Sequence, residues 1–497
     1  MKKNGIYYLT IFICGAAVMT AEMSASRLIA PYFGNSLYTW TNIVGLVMTA
    51  LAIGAFFGGK LADRNTGKNI YFSIVFFTGI WIILIPFVSE IIFKSIIKIV
   101  PGSFSTNGSF LAILILMVVP MSLLGAIVPF TMKLITKDIK NIGTVLGRVS
   151  AISTLGSIIG TFLPAFVLIP YLGTTKTFLL VGIILVLNAG IGLSSYLVRS
   201  LGILTLALFA FVPSVFSADG IIYEQDSPYH YIFIKDAGNG IHYLMLDNPF
   251  GVHSKYNPEK IVLHDYISYM GVLPSLREDA KQILILGNAS GSLSRIINTF
   301  YPDIEVTGVE IDPAITEISK KYMGLSNSET KIIHADARAF LLNNEDKYDL
   351  ILIDTYNSID IPVHLTSLEF FELVKSHLSE DGVIGMNVLS LNQELLLSMA
   401  NTLSRVFTNV SYLPIFSSGN AILLGSNSEN FELSYIPEEL DYEGKILSIM
   451  REIFIYDPKI AIFTDDKSQA EILSAKNSEK VFLKIEAEEK ELDLKTS

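Results

Sequence analysis

The chain has 497 residues, 51% of them hydrophobic and only 17% charged, with a mean hydropathy of +0.49. One water-soluble domain is excluded, because such domains carry roughly a quarter charged residues. Residues 1–217 hold 14 Lys and Arg against 4 Asp and Glu, whereas residues 218–497 hold 22 against 43, so a basic apolar half precedes an acidic polar one. An acidic soluble half and a pI near 5.2 exclude nucleic acid as a partner and favour cationic ligands. Cys14 is the only cysteine, which excludes an intramolecular disulfide and a cysteine-based metal site.

Apolar stretches of about 20 residues, the length that crosses a bilayer, recur at 6–26, 38–58, 70–93, 109–131, 148–170 and 177–197. These predict a multi-pass helical membrane domain over residues 1–217. A seventh stretch, Leu201 to Phe216, is shorter and interrupted by Pro213. The first has Lys2 and Lys3 before it but no small-residue cleavage pattern after it, so it reads as a retained helix. The loop bias in Lys and Arg puts the N-terminus inside. Six spans then keep residues 218–497 in the cytoplasm and seven export them; the cytoplasmic face is the expectation. Glu22 and Arg27 near the end of the first span are read either as a polar intramembrane site or as a helix-facing Glu with a snorkelling Arg. Gly156 and Gly160 have the spacing of close helix packing. The stretch Gly58 to Arg64 resembles the loop between the second and third helices of major facilitator transporters.

Residues 218–270 predict a small β-domain: 221–247 alternate in strand fashion, and Gly238-Asn239-Gly240 supplies a hairpin turn. From 271 to 476 strands alternate with helices, with strands at 283–286, 305–310, 331–334 and 350–354 and helices at 291–300, 313–323 and 337–343. That pattern predicts an α/β Rossmann-like domain with a doubly wound parallel sheet. The run Leu350-Ile351-Leu352-Ile353 suits a strand buried on both faces. Residues 477–497 form a mixed-charge tail.

Ligands in such sheets bind beyond the carboxyl ends of the strands. Gly287-Asn288-Ala289-Ser290-Gly291 follows the first strand and opens a helix, so Gly287, Ser290 and Gly291 are candidate cofactor contacts. Glu310 ends the second strand, where a carboxylate accepts both ribose hydroxyls. Asp336 follows the third strand, placed to meet an adenine amino group. Together these predict an adenosine-type ligand. No Gly-x-Gly-x-x-Gly or Gly-Lys-Ser/Thr is present, which leaves S-adenosylmethionine or a relative. His230, His242, His253, His334 and His377 lack metal-like spacing and read as packed or solvated.

Val309-Glu310-Ile311-Asp312-Pro313, His334-Ala335-Asp336-Ala337-Arg338, and Asp354-Thr355-Tyr356-Asn357-Ser358 followed by Ile361-Pro362-Val363-His364-Leu365 resemble spermidine synthases, above all the branch fused to a membrane domain. Ser26 to Gly34, Tyr38-Thr39-Trp40-Thr41 and Gly58 to Arg64 are similar to that branch's first two helices, and Phe463-Thr464-Asp465-Asp466 to another recurring element. The resemblance implies an aminopropyltransferase, commonly a dimer, with Glu310 on the ribose, Asp336 and Ala337 at the adenine, and Asp354 as the general base. It implies direct displacement on decarboxylated S-adenosylmethionine by a small-molecule amine, without metal. Gln225 and His264 resemble positions that line the active site, while Asn357, Asp360 and His364 on the loop after Asp354 are substrate-binding candidates, Asp360 as a replacement carboxylate and His364 either for substrate binding or proton transfer or for helix capping and loop packing. Two departures stand out: soluble spermidine synthases have Asp where Ser290 and Asn357 stand here. Losing the loop carboxylate removes a repulsion worth about 4 kcal/mol at an effective dielectric of 20, which opens the site to intact S-adenosylmethionine. Methyl or aminocarboxypropyl transfer, and an adenosyl-gated sensor or transporter without turnover, are the alternatives.

Overall fold

The computed structural model describes residues 4–33, 37–65, 67–99, 107–136, 141–193, 198, 202–203, 220–247, 252–263, 265–325, 330–357, 360–391, 393–415, 418–428, 436–441, 454, 456–470 and 473–474. The chain divides into two compact units, one formed by residues 1–216 with 225–228, the other by 217–224 with 229–497. The expected seventh span lies almost entirely outside the described residues, as do the tail from 477 and His264.

The first unit is helical: α1 (Gly5–Phe33), α2 (Leu37–Arg64), α3 (Lys68–Ile99), α4 (Ser109–Leu116), α5 (Val118–Ile135), α6 (Ile142–Leu163), a π-helical turn (Pro164–Leu168) running into α7 (Ile169–Leu172), and α8 (Thr174–Leu193). Among the described residues six helices are long and apolar enough to cross a membrane. Gly58 to Arg64, read from sequence as a loop, is instead the end of α2; Gly58 packs on Ala126 of α5, and a side chain there would overlap it. Gly156 and Gly160 bring α6 against α1, since a Cβ at either would overlap the carbonyl oxygen of Phe12 or Ala16. Glu22 is buried, 7% exposed.

The stretch read as one span over 109–131 is interrupted at Met117. Pro120 is the cause: it has no N–H to give the carbonyl four residues back and its ring crowds that carbonyl. The freed Leu116 oxygen accepts a hydrogen bond of 3.0 Å from the Trp81 indole of α3 instead.

The second unit opens with a four-stranded sheet, β1 (Ile221–Asp226), β2 (Tyr231–Asp236), β3 (His242–Leu246) and β4 (Val252–Tyr256), in sequential order. The β2–β3 hairpin turns through 237–241 with Gly238, Asn239 and Gly240 all at positive φ. Ile232, Ile234, Leu244 and Leu246 bury against Ile315, Ile318 and Met323 of the following domain.

A seven-stranded sheet follows, built from β5 (Gln282–Leu286), β6 (Glu305–Glu310), β7 (Lys331–His334), β8 (Tyr348–Ile353), β9 (Leu378–Leu389), β10 (Asn409–Ile415) and β11 (Asn420–Ser426). Its order is β10-β11-β9-β8-β5-β6-β7, with β5 to β9 parallel and β11 antiparallel to β9. Its helices are α9 (Tyr266–Met270) ahead of the sheet, then α10 (Ser292–Phe300), α11 (Pro313–Tyr322), α12 (Ala337–Leu342), α13 (Leu368–Ser376) and α14 (Gln393–Leu403). Leu350 and Leu352 face one core and Ile351 and Ile353 the other, all fully buried, as a central strand between two helical layers requires. The chain leaves β5 towards β6 and β7, then returns to place β8 on the other side of β5. That reversal is the switch point at which doubly wound sheets open a ligand crevice.

Candidate active site

Register puts the ends of four strands at one level: Leu286 pairs with both Val309 and Ile353, and Glu310 with His334. The loops after β5, β6, β7 and β8 therefore converge. Gly287 adopts φ 89°, and a Cβ there would overlap the carbonyl of Asp354, so the first loop and the fourth touch through backbone alone. The crevice they enclose is a cavity of about 410 Å³.

Asp354, directly after β8, faces this cavity. Its Oδ1 accepts 2.8 Å from Asn387 Nδ2 of β9, and its Oδ2 accepts 3.2 Å from the Tyr266 hydroxyl of α9. Asn387 is itself held by Asn420 Nδ2 of β11 at 2.8 Å. Burial pushes the Asp354 carboxyl up to about 6, against the two hydrogen bonds that lower it. The same burial, with Asp354 alongside, keeps the Tyr266 phenol protonated by raising it well above its ordinary value. The result is a carboxylate poised near neutral pH, oriented by two neutral donors and, among the described residues, paired with no cation.

Glu310, 5% exposed, ends β6 on the cavity wall. Its two oxygens accept from the backbone N–H of Ala289 at 2.9 Å and Asp312 at 3.0 Å, which locks the carboxylate against the glycine loop. Burial raises it while these bonds and His230 oppose the rise. Asp336 spends Oδ1 on capping α12 through Ala339 N at 2.9 Å and turns Oδ2 to His364 Nε2 at 2.9 Å. Burial pushes Asp336 up, but the Ala339 N–H and His364 outweigh it and the carboxyl lies below its ordinary value.

His364 rides on the loop between β8 and α13. Arg338 of α12 donates to the His364 carbonyl at 3.0 Å and forks onto Asp465 at 2.7 and 2.6 Å, while Ser367 donates to the same carboxylate at 2.6 Å. Asp465, from the recurring element read in the sequence, thus ties down the loop that covers the cavity. The Arg338 guanidinium, with Ser367, holds the Asp465 carboxyl at about 2. An unfolded Asp titrates near 4, so this tether contributes fully above that pH and fades as pH falls towards 2. Because both partners are part-exposed, the amplitude is at most ~1 kcal/mol. Thermal unfolding is expected to separate wild type from Asp465→Asn at pH 7, and the gap to close as the pH is lowered to 2.

Of the residues singled out in the sequence, Gly287, Glu310, Asp336, Ala337, Asp354, Asn357 and His364 line the cavity together. Ser290 and Gly291 do not: Ser290 N turns to Ser254 Oγ of β4 at 3.4 Å, and both residues face a separate recess of about 20 Å³. Asp360 closes a tight turn with Asn357 through mutual backbone bonds of 2.8 and 3.1 Å and does not line the cavity. Gln225 lies in β1, also off the cavity. Sequence reasoning passed over His230, Lys255, Asp265, Tyr266 and Asn387, all of which line it. His230, taken as packed or solvated, is a buried wall residue with Nδ1 2.9 Å from Asp247. Burial lowers its pKa, but Asp247 prevails and the net shift is upward.

Strand order, switch point and crevice define a Rossmann-like, methyltransferase-type domain behind a small β-sheet. Comparison with known proteins narrows this further. Residues 262–432 match the family model described as "Spermine/spermidine synthase domain". A probable polyamine aminopropyl transferase of Bifidobacterium longum (strain NCC 2705) is 30% identical over 278 residues, covering 51% of this chain and 62% of that protein. Polyamine aminopropyltransferase 2 of Aquifex aeolicus (strain VF5) is 25% identical over 485 residues, covering 89% of this chain and 93% of that one. A crystal structure of a probable spermidine synthase from Corynebacterium glutamicum ATCC 13032 covers 45% of this chain and 85% of its own, at 21% identity and a TM-score of 0.38. Residues 262–432 are therefore similar to spermine/spermidine synthase domains, and the chain is similar to polyamine aminopropyltransferases, in one case along nearly its whole length.

Proposed function

We propose that this protein is a membrane-anchored transferase that moves an aminopropyl or related alkyl group from an adenosyl sulfonium to a small-molecule amine, with Asp354 as general base. The observation that carries this reading is Asp354 itself: a carboxylate at the switch point with no cationic partner among the described residues, held by Asn387 and Tyr266 and facing a cavity shared with Glu310 and Asp336. Glu310 is assigned the ribose hydroxyls, since fixed carboxylate oxygens suit a vicinal diol. Asp336 and Ala337 are assigned the adenine edge, and Gly287 the close backbone approach. Asn357 and His364 are assigned to the acceptor side.

In the reaction the acceptor gives an ammonium proton to Asp354, directly or through water. Its nitrogen lone pair then forms a C–N bond to the methylene beside the sulfonium. The C–S bond breaks, its electron pair stays on sulfur, and a neutral thioether leaves. A base near 6 suits proton transfer close to neutrality. The donor is decarboxylated S-adenosylmethionine or S-adenosylmethionine itself. Six apolar helices and the Lys and Arg bias support an inside N-terminus with the catalytic unit on the cytoplasmic side.

The test is release of 5′-methylthioadenosine by the purified full-length protein given each donor with putrescine and, separately, with ornithine. Protonating the base removes activity, so kcat/KM, which reports the free enzyme, is expected to fall tenfold per pH unit below a limb near 6. A rate that stays flat from pH 8 to 5, or no release with either donor, would refute the assignment.

A further inference from the structure

Lys255 is a cationic side chain in the wall of a cavity that, on the reading above, receives cationic ligands. Its backbone is fixed. Ser290 N donates to Ser254 Oγ at 3.4 Å and Ser292 Oγ donates to the Lys255 carbonyl at 3.0 Å, so β4 is pinned to the loop after β5. Lys255 Nζ lies 3.5 Å from Asp265 Oδ2, and Asp265 faces the same cavity. The other Asp265 oxygen accepts from Ser268 N and Oγ at 3.2 Å each, which orients the carboxylate at the start of α9. At 3.5 Å the pair is an ion pair in reach rather than a closed hydrogen bond, and the lysine side chain retains 34% exposure.

A wall built only for polyammonium chains gains from bare carboxylates and loses from a lysine, which repels the ligand and cancels one of them. An ammonium and a carboxylate fixed side by side have instead the charge pattern complementary to an α-amino-acid head group, whose own carboxylate and ammonium stand two bonds apart. We propose that Lys255 and Asp265 form a receptor for a zwitterionic α-amino-acid group, Lys255 taking its carboxylate and Asp265 its ammonium. This deepens the transferase reading and rests on it. The head group belongs either to the donor, which would be S-adenosylmethionine with its carboxylate intact, or to an acceptor that is an amino acid rather than a plain diamine.

Two ligand pairs that differ by one carboxylate separate these sources: S-adenosylmethionine against its decarboxylated form, and ornithine against putrescine, the latter two titrated into protein saturated with 5′-methylthioadenosine. Calorimetry on the full-length protein is expected to show the carboxylated member of one pair binding at least tenfold more tightly. Lys255→Gln should erase that preference and Lys255→Arg retain it, while 5′-methylthioadenosine, which has no such head group, binds all three alike. The pair that responds identifies the source. No preference in either pair, or a preference that survives in Lys255→Gln, would overturn the proposal. If Lys255→Gln and Lys255→Arg weaken 5′-methylthioadenosine as much as the carboxylated ligand, the ion pair is only a structural pin. Failure of 5′-methylthioadenosine to bind wild type would instead sink the adenosyl reading beneath it.

Discussion

Asp354→Asn is expected to lower kcat by about 10²- to 10⁴-fold, the range a positioned general base contributes, while donor affinity stays within a few-fold of wild type. Asn is nearly isosteric, and its Oδ1 still accepts from Asn387. What disappears is the proton acceptor. A second readout follows from the raised carboxyl. The folded state binds this proton more tightly than the unfolded one, so ionising Asp354 costs stability, absent below about pH 4 and complete above about 6. The variant should therefore melt higher than wild type at pH 8 and not at pH 4, a rise of order 1–3 kcal/mol. Activity intact in Asp354→Asn would remove the base assignment whatever the melting curve shows.

Glu310→Gln is expected to weaken 5′-methylthioadenosine and both donors together by roughly 10²-fold or more, since two charge-assisted hydrogen bonds of about 1.5–3 kcal/mol each are at stake. The substitution acts twice. A Gln amide nitrogen would confront either the Ala289 or the Asp312 N–H, so the loop between β5 and α10 loses an anchor as well. Titration with 5′-methylthioadenosine reads the adenosyl site free of the tail. An unchanged affinity would place the ribose elsewhere.

Much of this architecture is legible in the residues, because strand burial and chain reversals leave local marks. Glu305 to Glu310 and Lys331 to His334 are read with the bounds they have in the structure, and Asp312-Pro313 marks the start of α11 through a capping carboxylate and a proline at the first turn. The sheet beyond β8 left no such mark. Its last two strands form an antiparallel edge, outside the alternation that signals a parallel sheet. Within the site, Gly287, Glu310, Asp336 and Asp354 are legible because each ends a strand. Tyr266 and Asn387 are not, since they reach Asp354 from 88 and 33 positions away and nothing near them in the chain betrays the contact. His230 is packed, as its spacing suggests, but its place on the cavity wall is not legible, since its partner Asp247 lies across a hairpin. Gly58 to Arg64 resembles a transporter loop, whereas in the structure it ends α2 and Gly58 serves helix contact.

The interruption between α4 and α5 changes what kind of mechanical element this helical unit can be. A proline break in a long apolar helix ordinarily leaves a joint. Here the carbonyl that Pro120 frees is held by the Trp81 indole, 35 positions earlier and on another helix. Bending at Met117 would strip that oxygen, on a residue only 2% exposed, of its donor, at a cost of about 1–3 kcal/mol. The joint is thus welded to its neighbour, and Trp81→Phe, which keeps the bulk and removes the donor, converts a strut into a hinge.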